Sequence, residues 1–293
     1  MQIQSKFLTR ILLFTISIFS ATSTQAIAEK NVLHWGGCGI TKKAFMAELA
    51  RAYEQKTGVK ILLEGGGATR GIRDTATLKI DIGGSCRMSL PDHNRTELYA
   101  SLHPVAWDAL AIIVHKSNPI NNLTTTQIKS IYSGKITNWR QLGGRDMPIK
   151  LYARQGNISG VGYAIRQYIF KDGGAQFKTR YLVRSSGPLE KAIEQQPSAI
   201  GITGISSARK RNVKIINFDG KIPSYKNVKS GTYKLYRPLY LVTSPKPSKA
   251  VKKFISYAMS DEGRKIIRAN KTVPYQDAPS LMAKMLIYGF DVR

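Results

Sequence analysis

The clearest hydrophobic pattern in the chain lies between residues 108 and 139. Ala109–Val114 is apolar without interruption, which is typical of a strand buried on both faces. Asn118-Pro119 then interrupts the run, because the residue before a proline is disfavoured in the helical region. The pattern therefore predicts a buried strand followed by a turn.

A short helix with defined ends is predicted after this turn. Thr124 and Gln127 have the spacing of a capping box, in which each side chain accepts a hydrogen bond from the backbone of the other residue. Ile131 and Tyr132 continue an apolar face, and Gly134 suits the left-handed conformation that ends a helix. The segment predicts a strand, a turn and a capped helix.

Apolar runs and helical spacings alternate along the rest of the chain, and this alternation predicts an α/β fold. The polar, aperiodic stretch 221–234 is predicted to be an extended connection. The other predicted strands are 31–35, 59–63, 80–83, 149–153, 199–202 and 240–242.

The first 28 residues have the pattern of a cleavable export signal. Lys6 and Arg10 precede the apolar run Ile11–Phe19, and Ala26–Ala28 forms a small-x-small cleavage site. This run is shorter than the ~20 residues that a membrane-spanning helix needs. We expect a periplasmic or secreted protein that begins near Glu29, and the alternative is an N-terminal anchor.

The chain is strongly basic, with a formal net charge of +27. Removing the signal, with its two basic residues and no acidic ones, leaves 265 of the 293 residues and a net charge of +25. That length suffices for two lobes, each with its own core. The basic residues are dispersed apart from Arg209–Arg211, which is predicted to be a solvated loop. Since no nucleic-acid motif accompanies them, the charge indicates a bias toward small anions and no nucleic-acid partner.

Metal chemistry has little support. The chain has two cysteines, Cys38 and Cys86, and four histidines without ligand spacing. Two cysteines alone do not make a zinc site. No metal or other cofactor is predicted.

Four loops share one anatomy, in which a strand is followed by glycine or small residues and then by a helix N-terminus. Backbone N–H groups and the helix dipole make such ends suitable for anions. Four of them in one basic chain predict a shared oxyanion pocket. The alternative is that each loop is a structural turn, as is common in α/β proteins. The loops are 36–39, 65–67, 84–87 and 154–160.

Several motifs carry a resemblance to a known family, namely the segment 108–139, Ser198–Gly201, Tyr236–Tyr240 and Ser260–Gly263. Over residues 36 to about 274, the chain resembles the phosphate-binding solute receptors of ABC transporters, within the type II periplasmic binding protein superfamily. The resemblance implies a two-lobed α/β clamshell with two hinge crossover strands, near 108–115 and 237–242. Lobe one would comprise residues 29–112 and 238–293, and lobe two residues 113–237.

The resemblance also implies a set of ligand-binding residues in these loops. Arg154 is the side chain expected to matter most, because a guanidinium group presents a planar fork to an oxyanion. The alternative for Arg154 is a structural salt bridge. The residues implied to surround the ligand are Cys38, Gly39, Ile40, Thr69, Arg70, Ser85, Cys86, Arg87, Arg154, Ser159, Gly160 and Val161.

The ligand loops depart from the family pattern at four positions. Cys38 stands where the family usually has serine or threonine, Ala68 replaces a serine, and Val161 replaces a hydroxyl residue. Cys86 lies where close phosphate receptors have a carboxylate that accepts the proton of hydrogen phosphate, and where many relatives have a serine. These departures leave open which oxyanion binds.

Both cysteines lie in loops that the resemblance brings to one wall of the cleft. A Cys38–Cys86 disulfide is one expectation, and closing that loop would stabilise the fold by about 4 kcal/mol in the chain-entropy model. Two buried thiols, or a reactive pair near the ligand, are the alternatives.

The leading interpretation is a binding protein without enzymatic activity. We expect an exported monomer that captures an inorganic oxyanion, phosphate above all, for an ABC permease in the inner membrane. One alternative is a clamshell interaction or signalling protein that uses its basic surface on anionic partners. The other is a secreted phosphate-ester hydrolase, which has neither a nucleophile elbow nor a metal-ligand cluster in its favour.

Overall fold

Strands and helices alternate throughout the computed structural model, which describes residues 31–288. The predicted export signal, 1–28, lies outside the described residues. The strands are β1 (Val32–Gly37), β2 (Lys60–Gly65), β3 (Ile82–Ser85), β4 (Ser101–Val114), β5 (Asn122–Leu123), β6 (Lys150–Arg154), β7 (Tyr181–Val183), β8 (Ala199–Gly204), β9 (Lys214–Phe218), β10 (Tyr236–Thr243) and β11 (Val273–Pro274). The α-helices are α1 (Gly39–Thr41), α2 (Ala47–Thr57), α3 (Ala68–Ala76), α4 (Thr125–Tyr132), α5 (Gly160–Ile165), α6 (Ser186–Gln195), α7 (Ile205–Ala208), α8 (Tyr225–Lys229), α9 (Lys249–Met259), α10 (Asp261–Ala269) and α11 (Pro279–Tyr288).

Two π-helical turns and three 3₁₀ turns complete the helical segments. The π turn Lys42–Met46 joins α1 to α2, so that the chain is helical from Gly39 to Thr57. The π turn Arg166–Phe170 continues α5, and the 3₁₀ turns are Arg95–Tyr99, Trp139–Leu142 and Tyr275–Asp277. Within residues 31–288, no helix combines the length and the apolar character needed to cross a membrane.

One long strand, β4, joins two halves of the sheet, whose main strand order is β2-β1-β3-β10-β4-β8-β6-β7. Its first part pairs with β10 from Ser101 to Ala109. Its last part, Leu110–Val114, pairs with β8. We call the β2-β1-β3-β10 side, with its helices, the first lobe, and the β8-β6-β7 side the second lobe. The predicted α/β clamshell with crossover strands is thereby confirmed.

The crossover strand is longer than its apolar core. The sequence predicted a strand over Ala109–Val114, whereas β4 begins at Ser101. The residues before Ala109 include polar side chains and Pro104, so they have no strand pattern and the extension was not predicted. The pairing accommodates them through a bulge, because the register shifts by one residue between Leu239 and Tyr240 on β10.

The capped helix that was predicted after this strand is confirmed. The Thr124 side chain accepts from the backbone N–H of Gln127, and the Gln127 side chain accepts from the backbone of Thr124. Ile131 and Tyr132 are buried, and Gly134 has a left-handed φ of 73° just beyond the helix.

The extended connection predicted over 221–234 is wrong in part, because the short helix α8 lies within it. The Ser224 side chain caps α8 by accepting from the backbone N–H of Asn227, at 3.2 Å. Val228 is buried in the core. A helix of five residues that has one core contact is too short to show a periodic apolar pattern in the sequence. Only its contact with the core identifies α8 as a helix.

Close backbone contacts place α3 against the carboxyl ends of β1 and β3. A Cβ atom added at Gly71 would lie 2.4 Å from the carbonyl oxygen of Gly84, and one added at Gly37 would lie 2.2 Å from the same oxygen. Neither separation is compatible with a side chain. Glycine at these positions therefore holds the start of α3 next to the loops that follow β1 and β3.

Replacing Gly71 with alanine tests this contact. In an ordinary helix, replacing glycine with alanine would raise the free energy of unfolding by about 0.5–1 kcal/mol, because alanine has the higher helix propensity. Here we expect Gly71→Ala to lower the free energy of unfolding by about 2 kcal/mol, because the methyl group overlaps backbone atoms. Urea unfolding followed by tryptophan fluorescence measures the change. Gly65→Ala is the matched control, since nothing lies within 4 Å of a Cβ atom there. Equal stability of the two variants would contradict the contact.

Candidate functional site

A cavity of about 240 Å³ lies between the two lobes, where the starts of several helices meet. α1 and α3 reach it from the first lobe, and α5 and α6 reach it from the second. The lining residues are Cys38, Gly39, Lys43, Gly65, Gly66, Gly67, Ala68, Cys86, Arg154, Gly160, Val161, Ser185, Ser186, Gly187, Ser207 and Arg211. Among the described residues, this lining contains three basic side chains and no carboxylate.

The helix starts present backbone N–H groups to this cavity. No side chain caps the N-terminus of α3 or of α6 within the described chain. Each has about three turns, so each contributes the positive end of a helix dipole. The lining Gly67 and Ser185 immediately precede the two helices. The N-termini of α3 and α6 therefore favour a negative charge in the cavity without the help of any side chain.

Arg154, at the end of β6, is the most buried basic side chain of the cavity lining, at 6% exposure. Its Nη1 donates to Ser186 Oγ at 3.0 Å, and its Nη2 donates to the carbonyl oxygen of Arg184 at 2.5 Å. Nε is buried and has no hydrogen-bond partner among the described residues. Burial lowers the pKa of Arg154, which means that its charge is incompletely solvated. Both of its hydrogen-bond acceptors within residues 31–288 are therefore neutral.

Lys43, Arg211 and Glu190 form a charged cluster at the edge of the cavity. Glu190 is completely buried, and its Oε2 lies 3.1 Å from both Lys43 Nζ and Arg211 Nε. Its Oε1 accepts from Thr203 Oγ1 and Ser207 Oγ. Because Lys43 belongs to the first lobe and Glu190 to the second, the ion pair links the lobes across the cleft. The structure is therefore a closed arrangement.

Arg211 corrects one sequence-based expectation. The cluster Arg209–Arg211 was predicted to be a solvated loop. Arg209 and Lys210 are exposed, as a solvated loop implies, and Arg209 Nη1 donates to the carbonyl oxygen of Lys271. Arg211 differs, because it lines the cavity and pairs with Glu190. The surrounding acceptors come from distant parts of the chain, so composition alone could not indicate them.

Cys38 and Cys86 lie side by side in the cavity wall, with their sulfur atoms 2.8 Å apart. Burial raises the pKa of the Cys38 thiol. A hydrogen bond from Cys86, the charge of Arg237 and backbone N–H groups outweigh burial and lower this pKa to about 6. The hydrogen bond to Cys38, followed by burial, raises the pKa of Cys86. In the reduced pair, Cys38 is therefore the thiolate and Cys86 the thiol that donates to it.

The structure brings only part of the predicted ligand set to the cavity. Cys38, Gly39, Cys86, Arg154, Gly160 and Val161 line it. Thr69 and Ser159 line an adjoining cavity of about 280 Å³, which shares Arg154 and Gly160 with the first.

The other predicted residues line neither of these cavities and have partners elsewhere. Ile40 is in the core, and Ser85 Oγ donates to the carbonyl oxygen of Arg87. Arg87 makes a buried ion pair with Glu97, with Nη1 2.7 Å from Oε2. Arg70 pairs with Glu64 and Asp74, and its Nη1 donates to the carbonyl oxygen of the lining residue Gly65.

Several lining residues were not predicted from the sequence. Lys43 and Ser207 carry no local signal, because they face the cavity only through the closure of the lobes. Ser185–Gly187 repeats the anatomy of the four predicted loops, since it follows β7 and begins α6. That loop could have been found by the same rule. Within residues 31–288, no group of three or more His, Cys, Asp or Glu residues could hold a metal ion.

Comparison with known proteins identifies the class to which this fold and cavity belong. A family model described as the PBP superfamily domain matches residues 36–262. The chain therefore belongs to the PBP superfamily, in agreement with the family resemblance of its motifs.

Individual relatives agree with this assignment. Phosphate-binding protein PstS of Bacillus subtilis is 26% identical over 231 residues, which cover 79% of this chain and 76% of the relative. The PstS of Borreliella burgdorferi is 30% identical over 55% of this chain and 61% of its own length. A substrate-binding protein of a phosphate ABC transporter from Clostridium perfringens, solved with bound phosphate, has a TM-score of 0.74 at 28% identity and covers 83% of this chain and 99% of its own. An ABC-type phosphate transport receptor from Vibrio cholerae has a TM-score of 0.63 at 27% identity, with the same coverage.

The lowered pKa of Cys38 predicts reaction with an alkylating reagent at acidic pH. The thiolate is the reactive form, so the rate of carbamidomethylation at Cys38 should rise with pH to a plateau with a midpoint near 6. Peptide mass mapping of the reduced protein, treated with iodoacetamide at a series of pH values, measures this rate.

Two Cys86 variants separate the causes of this shift. Cys86→Ala removes the donor and should move the midpoint upward, whereas Cys86→Ser keeps a donor and should retain a low midpoint. A wild-type midpoint at or above about 8.5, the ordinary thiol value, would show that burial dominates instead.

Proposed function

We propose that this protein is an exported receptor that captures phosphate or a chemically similar inorganic oxyanion between its lobes for uptake by an ABC permease. The observation that carries the proposal is the convergence of Arg154 and the α3 and α6 N-termini on one cavity that has no carboxylate in its lining. The names of the similar proteins support phosphate as the ligand. The export signal predicted over residues 1–28 supports an extracytoplasmic location.

The proposal extends to the site and to its organisation. Lobe one comprises residues 29–112 and 238–293, lobe two comprises 113–237, and the receptor acts as a monomer without enzymatic activity. Arg154 holds the anion through a charge-assisted bond from its buried Nε, and helix-start N–H groups supply the remaining donors. Closure then places Lys43 and Arg211 at the edge of the bound anion.

Calorimetric titration tests this function. Protein freed of anions by unfolding, dialysis and refolding is titrated with phosphate, arsenate, sulfate, thiosulfate and molybdate. We expect saturable binding of one phosphate per chain, and no release of nitrophenol when p-nitrophenyl phosphate is supplied. Absence of binding to every anion would defeat the proposal, and turnover of the ester would favour a hydrolase.

Arg154→Met should weaken phosphate binding by roughly 10- to 100-fold, because a hydrogen bond to a charged group contributes about 1.5–3 kcal/mol. The measurement is the same titration. Arg140→Met is the matched control, since Arg140 pairs with Asp146 at the surface and its removal lowers the net charge equally. Similar losses in both variants would mean that Arg154 acts through the general field of the protein and not through contact.

Closure of the lobes depends on Gly160. A Cβ atom at this position would lie 2.3 Å from Cys86 Sγ, across the cleft. Gly160→Ala should therefore keep the lobes apart and weaken phosphate binding by about tenfold or more. Small-angle scattering should show that phosphate no longer reduces the radius of gyration of this variant. Gly173→Ala, whose added Cβ would face only the flexible end of Gln167, should close like the wild type.

A further inference from the structure

The cavity wall contains a thiol pair that anion binding itself does not require. Cys38 follows β1 and Cys86 follows β3, and these neighbouring parallel strands pair Gly37 with Gly84. Their register holds the two cysteines together although they are 48 positions apart in the chain. Their sulfur atoms are 2.8 Å apart, so an approach of less than ~1 Å reaches the S–S bond length of about 2.05 Å. These are the only two cysteines of the chain.

We propose that Cys38 and Cys86 form a thiol–disulfide modification site within the anion cavity, and that the disulfide form binds the anion more tightly than the dithiol form. This inference rests on the proposed receptor function, because it describes the regulation of the same cavity. The co-reactant is a disulfide oxidant, either a small molecule or a thiol–disulfide oxidoreductase.

The reaction is ordinary thiol–disulfide exchange. The Cys38 thiolate attacks one sulfur of the oxidant, which forms a mixed disulfide and releases the other sulfur as a thiolate. Cys86 then loses its proton and attacks the Cys38 sulfur, which forms the Cys38–Cys86 bond and releases the second thiolate. The protein dithiol loses two electrons and two protons, and the oxidant becomes two thiols. A dithiol reductant reverses both steps.

Charge links this modification to anion binding. The cationic groups that face the thiol pair are Arg237 on β10 and Arg154 on β6, and Arg237 Nη1 donates to the carbonyl oxygen of Cys86 at 3.1 Å. A thiolate in this position neutralises part of the positive field that an anion would use. Its lowered pKa supports a thiolate at neutral pH. A disulfide has no charge, so oxidation returns the full field of both arginines to the ligand.

Closure of the lobes also controls access to the sulfur atoms. Both cysteines are less than 5% exposed, and Gly160 of the second lobe lies directly against Cys86 Sγ. An oxidant can therefore reach the thiols only when the lobes separate. A bound anion that keeps the lobes closed should slow both oxidation and reduction of the pair.

The test compares the two redox forms of the full mature chain at pH 8. One sample is oxidised with glutathione disulfide and the other is reduced with dithiothreitol, and intact mass under denaturing conditions verifies the loss of two hydrogen atoms. Phosphate titration should give a Kd at least ~5-fold lower for the oxidised form, given the size of charge interactions over several ångströms. The Cys38→Ser/Cys86→Ser double variant should give one Kd under both conditions.

The outcomes separate this inference from the receptor function. Phosphate binding with equal Kd values in the two forms, or tighter binding by the reduced form, overturns the redox coupling and leaves the receptor intact. Two free thiols after treatment with the oxidant likewise overturn it. No anion binding by either form overturns both proposals. Saturating phosphate should also slow oxidation of the wild-type pair several-fold, and an unchanged rate would overturn control by closure.

Discussion

The cavity is organised around a buried cation, Arg154, whose hydrogen-bond acceptors among the described residues are neutral. Arg154 is 6% exposed, yet it donates to a serine hydroxyl and a backbone carbonyl, and its Nε has no hydrogen-bond partner within residues 31–288. Burying an unpaired charge is costly, so the fold must recover this free energy from elsewhere or from a ligand. Glu190, a buried carboxylate of the second lobe, is already paired with Lys43 and Arg211. Under the proposed function, an anion in the cavity would accept the hydrogen bond that Arg154 Nε leaves unmade.

The position of Arg154 between the lobes depends on β4, the strand that the two halves of the sheet share. β4 belongs to both halves of the sheet, so the loops of the two lobes approach each other along one continuous strand. At the crossover, Asp108 of β4 is opposite Arg237 of β10, and both are buried. Burial raises the pKa of Asp108 to about 6, although the charge of Arg237 opposes this change.

The sequence predicts the parts of this protein that depend on local chemistry. The capped helix α4 and the apolar centre of β4 follow from neighbouring residues, and so do the glycine-rich turns before α3 and α5. Features that depend on closure could not be predicted in this way. Lys43 reaches the cavity edge only because Glu190 approaches from the other lobe, and Arg211 was assigned to a solvated loop for the same reason. Arg70 and Arg87, which the family resemblance implies as ligand residues, each make an ion pair with a nearby carboxylate.

The departures from the family pattern have related consequences for the charge of the cavity and for its hydrogen-bond donors. A carboxylate at the position of Cys86 would be a permanent negative charge in the cavity and a fixed acceptor for a proton of the ligand. Here a dithiol takes that position, and its negative charge exists only while Cys38 is a reduced thiolate. The alanine at position 68 and the valine at 161 remove hydroxyl donors from the lining, so more of the binding free energy must come from backbone N–H groups and from Arg154. Under the proposed function, such a cavity would recognise charge and size more than protonation state. Its affinity for an anion would then depend on how much of its positive field the thiol pair neutralises.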